Sequence, residues 1–295
     1  MQTNNPHFKS IENAEKYFKA YDEAMSLWPV PYQVLFVETE WGKTHVIASG
    51  PEQGPVVVLL HGLGASSTTW YKNIGALAQS HRVYAIDIIG TASKSVCVKA
   101  LANLAESVSW LNQVFDHLGI HKAHLIGHSY GGFISINFAI QCPAKIHSLI
   151  LLAPAASLKS LTLQFFLRGL LMMIVPWRPI IIWVLNWFGG NGSAGLSEEE
   201  PFVKQMILAI QIFKSKLKFP PRVYTDTELQ RLNMPTLVMV GSREVIYDPD
   251  AALKRAETTI PACDVLKVLN AGHALQVDEP ELVNKAILDF IAKVD

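Results

Sequence analysis

The strongest constraint in this sequence is a series of short apolar runs with helix-compatible stretches between them. PVVVLLHG (55–62) is almost unbroken, and VYAID (83–87), AHLIGH (123–128), HSLILLAP (147–154), PTLVMVG (235–241) and DVLKVLN (264–270) follow it. Runs of that length suit strands covered on both faces, the condition of a parallel sheet flanked by helices. The stretches between them are TTWYKNIGALAQS (68–80), LANLAESVSWLNQVFDHLG (101–119), GGFISINFAIQC (131–142), DPDAALKRAETT (248–259) and PELVNKAILDFIAK (280–293), each compatible with a helix. YQVLFVET (32–39) and KTHVIAS (43–49), around Trp41-Gly42, read as an antiparallel entry pair. The pattern predicts an α/β fold with a mainly parallel, eight-stranded sheet over 32–156 and 233–295 and helices on both faces.

Two segments stand outside that alternation. Between Ser10 and Trp28, apolar residues recur at steps of three and four (Ile11, Ala14, Tyr17, Phe18, Tyr21, Ala24, Met25), which predicts an amphipathic helix within 1–31, capped by Ser10 and stopped by Pro29 and Pro31. Between 157 and 232 no strand-like run occurs, and the segment reads as a helical cap inserted into the sheet order. Its most apolar part, 161–190, does not reach the ~20 uninterrupted apolar residues of a membrane span, because Arg168, Arg178, Pro176 and Pro179 interrupt it. Gly189, Gly190 and Gly192 mark a loop, after which Ser197 and Glu200 have the spacing of a capping box for another helix. KSKLKFPPR (214–222) reads as the basic end of that helix, stopped by its prolines.

Composition excludes several functions. Lys plus Arg and Asp plus Glu both total 25, so the chain lacks the basic surplus of a nucleic-acid binder. The three cysteines, Cys97, Cys142 and Cys263, are far apart and form no CxxC pair, so they read as buried small hydrophobes rather than disulfide or zinc ligands. The polar N-terminus lacks the apolar core of a secretory signal, and a cytoplasmic protein is expected.

The sharpest chemical signal is Gly127-His128-Ser129-Tyr130-Gly131-Gly132 between a strand and a helix, a GxSxG in the context of a nucleophile elbow. A serine hydroxyl is a weak nucleophile and needs a base. His273, on the Gly-bearing loop between the last strand and the last helix, is the candidate. His7, His81, His117, His121 and His147 carry no motif and are expected at the surface, and His128 is expected to pack or hydrogen-bond beneath the elbow. The base needs a carboxylate to fix its tautomer. Glu244, nearest the end of the strand PTLVMV, is the first choice; Asp248, which also reads as a helix cap, is the second, and Asp250 the third. The order Ser129, acid, His273 is that of one fold family. His61-Gly62-Leu63-Gly64 follows the strand PVVVLL, and the amides of Leu63 and Tyr130 are the expected oxyanion donors.

HGLGASSTTW, AIDIIGTASKS, GHSYGG, LVMVGSREVIYDP and NAGHALQVDEPE together resemble the α/β-hydrolase superfamily over most of the chain. The front helix running into LWPVPY, with AIDIIG and REVIYDP, is most similar to a Bacillus-type group of carboxylesterase-like serine hydrolases. The resemblance implies Ser129 as nucleophile, His273 as base and Glu244 in a position where many relatives carry Asp. It departs from the family after Asp87, where many relatives read PGxGxS and this chain reads IIGTASKS. The expected substrate is a small-molecule ester with an apolar acyl or aryl group, received under a lid carrying Phe165, Phe166, Trp177, Trp183, Trp187 and Phe188. Thioester, lactone or carbon-carbon hydrolysis on the same residues, or a non-turnover sensor of a hydrophobic ligand, are the alternatives. No cofactor, metal or nucleic acid is expected, and the chain is read as a monomer or homodimer.

Overall fold

The computed structural model describes residues 7–189 and 199–295. Its strands are β1 (Tyr32–Thr39), β2 (Gly42–Ser49), β3 (Val56–Leu60), β4 (Arg82–Ile86), β5 (Val96–Cys97), β6 (Ala123–His128), β7 (Ile146–Leu152), β8 (Thr236–Gly241) and β9 (Cys263–Val268). Its helices are α1 (Ile11–Met25), α2 (Ile74–Leu77), α3 (Leu104–His117), α4 (Tyr130–Gln141), α5 (Leu163–Ile174), α6 (Arg178–Phe188), α7 (Pro201–Ile212), α8 (Asp226–Leu229), α9 (Pro249–Thr259), α10 (Leu275–Asp278) and α11 (Pro280–Val294). The main strand order is β1-β2-β4-β3-β6-β7-β8-β9. β1 and β2 pair antiparallel, β2 joins β4 antiparallel, and every pairing from β4 to β9 is parallel.

The expected eight strands are present, and among the described residues the sheet has a ninth, β5, paired with the start of β2. Two residues are too few for any periodicity to announce a strand. Gly42 makes the pairing possible: a Cβ there would stand 2.1 Å from the Val96 carbonyl oxygen, and its φ is +122°. The stretch 68–80 forms a 3-10 turn (Ser67–Trp70) and the single turn of α2 rather than one helix.

Because the parallel strands run in one direction, the segments after β3, β6, β8 and β9 meet at one edge. These carry Leu63, Ser129, Glu244 and His273, as expected for the ligand edge of an α/β sheet. The insertion supplies α5, α6 and α7, and its chain crosses this edge where the His273 amide donates to the Phe188 carbonyl at 2.9 Å. No helix among the described residues is long and apolar enough to cross a membrane. The apolar stretch divides into α5 and α6 around Val175–Trp177. α7 starts at Pro201 with Glu200 as its N-cap; Ser197, Gly190 and Gly192 lie outside the described residues. It ends at Ile212, before the lysines, contrary to the expected basic terminus. Lys214, Lys216 and Lys218 instead follow in extended chain, their amides donating to the carbonyls of His7, Gly90 and Leu101 at 2.9–3.0 Å.

α1 buries Ala14, Tyr17, Ala20, Tyr21, Ala24 and Met25, and Ser10 caps it through the Asn13 amide. Ile11, placed on the apolar face by its spacing, is 60% exposed. The helix joins sheet and cap through a buried polar cluster. Gln205 of α7 donates to Tyr17 Oη (3.0 Å) and Ser66 Oγ (2.8 Å) and accepts from Thr68 Oγ1 (2.6 Å). Tyr17 in turn donates to the Ala92 carbonyl. Phe8 forms a β-bridge with Phe213 and packs on its ring at 5.1 Å, closing the same seam.

A buried amide with three hydroxyl partners loses them together. Gln205→Ala is expected to lower the unfolding free energy in urea by about 1–3 kcal/mol. A change under about 0.5 kcal/mol would mean that the three hydroxyls regain equivalent partners.

Candidate active site

Ser129 follows the strand β6 and caps α4 with φ 52° and ψ −115°, a region that non-glycine residues rarely occupy. The surroundings over-determine that conformation. The Ser129 amide donates to the Leu152 carbonyl (2.9 Å), and its own carbonyl accepts from the amides of Phe133 and Ala155 (both 3.1 Å). A Cβ on Gly127 would lie 2.6 Å from the Gly131 oxygen, and one on Gly131 would lie 2.3 Å from the Leu60 oxygen. Both glycines are therefore steric requirements of the elbow.

His273 Nε2 lies 2.9 Å from Ser129 Oγ, and its Nδ1 lies 2.7 Å from Glu244 Oε2. A carboxylate can only accept, so Nδ1 carries the proton and Nε2 is left to accept from the hydroxyl. The Glu244 side chain is fully buried, and its other oxygen accepts from the amides of Val245 (2.8 Å) and Ile246 (3.0 Å). Three hydrogen bonds thus hold the carboxylate, which fixes it opposite the imidazole. Asp248 is elsewhere: it caps α9 through the Ala251 amide at 3.0 Å, while Asp250 pairs at the surface with Lys267.

The acid and histidine loops interlock through two glycines. A Cβ on Gly241 would lie 2.3 Å from the Gly272 oxygen, and one on Gly272 would lie 2.6 Å from the Phe188 oxygen of the cap. The Arg243 amide donates to Ala271 at 2.8 Å, and Asp278 accepts from the Gly272 amide at 2.8 Å. Burial raises the pKa of Asp278. His128 does lie beneath the elbow: its Nε2–H donates to the His273 carbonyl at 2.9 Å, joining the nucleophile strand to the histidine loop. Burial first, and the neighbouring His273 second, push the His128 pKa down to about 3, so it remains neutral.

The loop after β3 approaches from the other side. A Cβ on Gly62 would lie 3.0 Å from His128 Nδ1 and 3.2 Å from Ser129 Cβ, so this backbone lies close against the nucleophile and a larger residue would crowd both side chains. His61 stiffens the loop: its Nδ1 lies 2.8 Å from the Gly62 oxygen, and its Nε2 accepts from the Ile88 amide at 3.0 Å. Gly64 follows with φ +81°. Among the described residues, neither the Leu63 nor the Tyr130 amide donates to another backbone group outside a helix or strand.

The six cap aromatics divide. Phe166, Trp177 and Trp183 are exposed. Trp187 is buried, with the Arg168 guanidinium 4.3 Å from its ring centre. Phe188 stands 5.9 Å from the His273 ring, with Phe165 and Trp187 packed against it. Sequence reasoning placed Phe188 in the lid but gave no sign that its backbone holds the histidine loop. His7 and His81 are buried rather than superficial, and Cys142 and Cys263 are only partly buried.

Residues 55–190 match the family model for the alpha/beta hydrolase fold. The chain is 36% identical over 286 residues to a Bacillus subtilis protein named uncharacterized carboxylesterase nap, covering 95% of this chain and 93% of that one. It is 34% identical to carboxylesterase YbfK of the same species, over 96% of each chain. The crystal structure of naproxen esterase (carboxylesterase NP) from Bacillus subtilis superposes with a TM-score of 0.90 at 36% identity, over 95% of this chain and 98% of that one. The chain belongs to the α/β-hydrolase family. Within it, the chain lies close to the carboxylesterase-like serine hydrolases of Bacillus and is an enzyme of the esterase type.

The loop after β4 anchors this edge through Asp87. That carboxylate is fully buried and accepts from the amides of Ser67 (2.8 Å) and Lys94 (3.1 Å), from Tyr21 Oη (3.0 Å) and from His45 Nδ1 (2.9 Å). Burial alone would raise its pKa, but His45, His61 and the Ser67 amide outweigh that and hold it well below the usual carboxylate range. Its stabilising contribution is complete above the unfolded value of about 3.9 and is lost as pH falls below it. The urea midpoint of the wild type is expected to fall below about pH 4, whereas Asp87→Asn starts lower at neutral pH and declines less. Parallel profiles for the two proteins would contradict this role.

Proposed function

We propose that the protein hydrolyses neutral carboxylic esters with an apolar acyl or aryl group, through an acyl-enzyme on Ser129. The hydrogen-bonded line from Glu244 through His273 to Ser129 carries this reading. Ser129 Oγ attacks the ester carbonyl carbon while His273 Nε2 takes the hydroxyl proton. The new C–O⁻ is met by the amides of Leu63 and Tyr130, the second at the positive end of α4. The tetrahedral intermediate collapses, the C–O bond to the alcohol breaks, and the alcohol leaves with the proton from Nε2. Water then attacks the acyl-serine, gives its proton to His273, and a second collapse releases the carboxylic acid and restores the Ser129 hydroxyl.

Glu244 keeps the proton on Nδ1 and offsets the imidazolium charge, which is worth most because the carboxylate is out of solvent. The ring of Phe188 beside His273, backed by Phe165, supports an apolar group near the scissile bond. The names of the relatives, naproxen esterase and carboxylesterase, point to the same bond type.

Initial rates on p-nitrophenyl esters of graded acyl length test the reading. kcat/KM is expected to rise from acetyl to medium acyl chains. Ser129→Ala should lower kcat by about 10⁶, and Glu244→Gln by about 10³ to 10⁴. Asp248→Asn should stay within about threefold, since replacing a cap by another capping residue is nearly neutral. A larger loss in Asp248→Asn than in Glu244→Gln would transfer the acid role, and turnover that persists in Ser129→Ala would remove the acyl-enzyme.

A further inference from the structure

At the opposite edge of the sheet, His124, His147 and Asp295 converge, each offering one ligand atom, with all three atoms within 4.8 Å of one another. His124 is the second residue of β6, His147 the second of β7, and Asp295 follows the end of α11. Asp295 Oδ1 lies 3.3 Å from His124 Nε2 and 3.0 Å from His147 Nε2. We propose that these three side chains form a binding site for a divalent transition-metal ion of the zinc type, separate from the esterase centre.

Three features of the cluster support a ligand set over a surface ion pair. The first is spacing: ligand atoms around a tetrahedral zinc at bonds of about 2.0–2.1 Å stand about 3.3 Å apart; the two nitrogen-to-oxygen distances are of that size, and the two imidazole nitrogens lie within 4.8 Å of each other. The second is register. β6 and β7 pair Ala123 with Ile146 but His124 with Ser148, so His147 is the extra residue of a bulge, a device that re-aims a side chain. His147 Nε2 is sealed from solvent, and its approach to Asp295 lacks hydrogen-bond geometry. The third is the support behind His124. Its Nδ1 lies 2.9 Å from Ser148 Oγ, a hydroxyl that can accept the Nδ1 proton when Nε2 binds an ion.

The His147 side chain also forms part of the wall of a neighbouring surface cavity of about 290 Å³, lined as well by Lys122, Ile146 and Asn233. Two imidazoles and one carboxylate favour zinc, cobalt or nickel over magnesium or calcium, which prefer oxygen. His124 lies near the start of β6 and Ser129 just past its end, five residues and about 16 Å on, so the ion would tie the end of α11 to β6 and β7 without touching the reacting atoms.

Titration calorimetry of chelator-stripped protein with zinc chloride, and visible spectra with cobalt chloride, test the site. The expected result is one zinc per chain with a rise in Tm on addition, and a cobalt spectrum of tetrahedral type. His147→Gln and Asp295→Asn should each weaken zinc binding at least about 100-fold, and Ser148→Ala about 10- to 100-fold, with ester turnover unchanged in all three. Asp295 is exposed at the end of a helix, so its variant keeps the fold. No saturable binding to the wild type, or a zinc affinity unchanged from the wild type in His147→Gln and Asp295→Asn, would overturn the proposal and leave an ion pair or binding at the thiols.

Discussion

The left-handed backbone at Ser129 is the constraint on which the rest of the active edge depends. A serine accepts that conformation only at a cost of order 1–3 kcal/mol, and the cost is met by contacts that glycine alone permits at Gly127 and Gly131. The gain is positional. The hydroxyl leaves the sheet, the following amide stays free of helical bonding, and the α4 dipole points at the same place. The buried strands β3, β6 and β7 supply the rigidity that keeps the turn from relaxing.

Around that turn the structure uses backbone more than side chain to hold its parts. Gly62 lets one loop lie against Ser129, Gly241 lets the acid loop lie against the histidine loop, and Gly272 lets the histidine loop lie against the cap. The Phe188 carbonyl receives the His273 amide, so the lid is a structural partner of the base as well as a cover. Gln205 and the Phe8–Phe213 bridge then fasten the cap to the N-terminal helix. A displacement of α6 would therefore reach His273 directly, which couples cap packing to catalytic geometry.

Most of the fold was legible because its central strands β3, β6, β7 and β8 are buried and therefore mostly apolar, and several helices carry ordinary caps and periodicity. GxSxG between a strand and a helix located Ser129, and positions just after strand ends led to Glu244 and His273, which the structure brings into one hydrogen-bonded line. What escaped the sequence depends on tertiary contact. β5 exists because Gly42 admits the chain at Val96. α7 stops short of its lysines because Phe213 pairs with Phe8 and the following amides find carbonyls in the core. His7 and His81 are buried by neighbours remote in sequence, and three lid aromatics face outward because a very apolar segment has more rings than one cleft can take. His124 and His147 meet through a register shift that no spacing reveals.

The central claim is that a single hydroxyl, activated by one imidazole, forms the covalent bond to the acyl group. Reaction with a fluorophosphonate followed by peptide mass mapping tests it directly. One adduct per chain on the peptide containing Ser129, with labelling slowed by orders of magnitude in His273→Ala, is the result expected. An adduct on another serine, or equal labelling rates in the two proteins, would contradict the account.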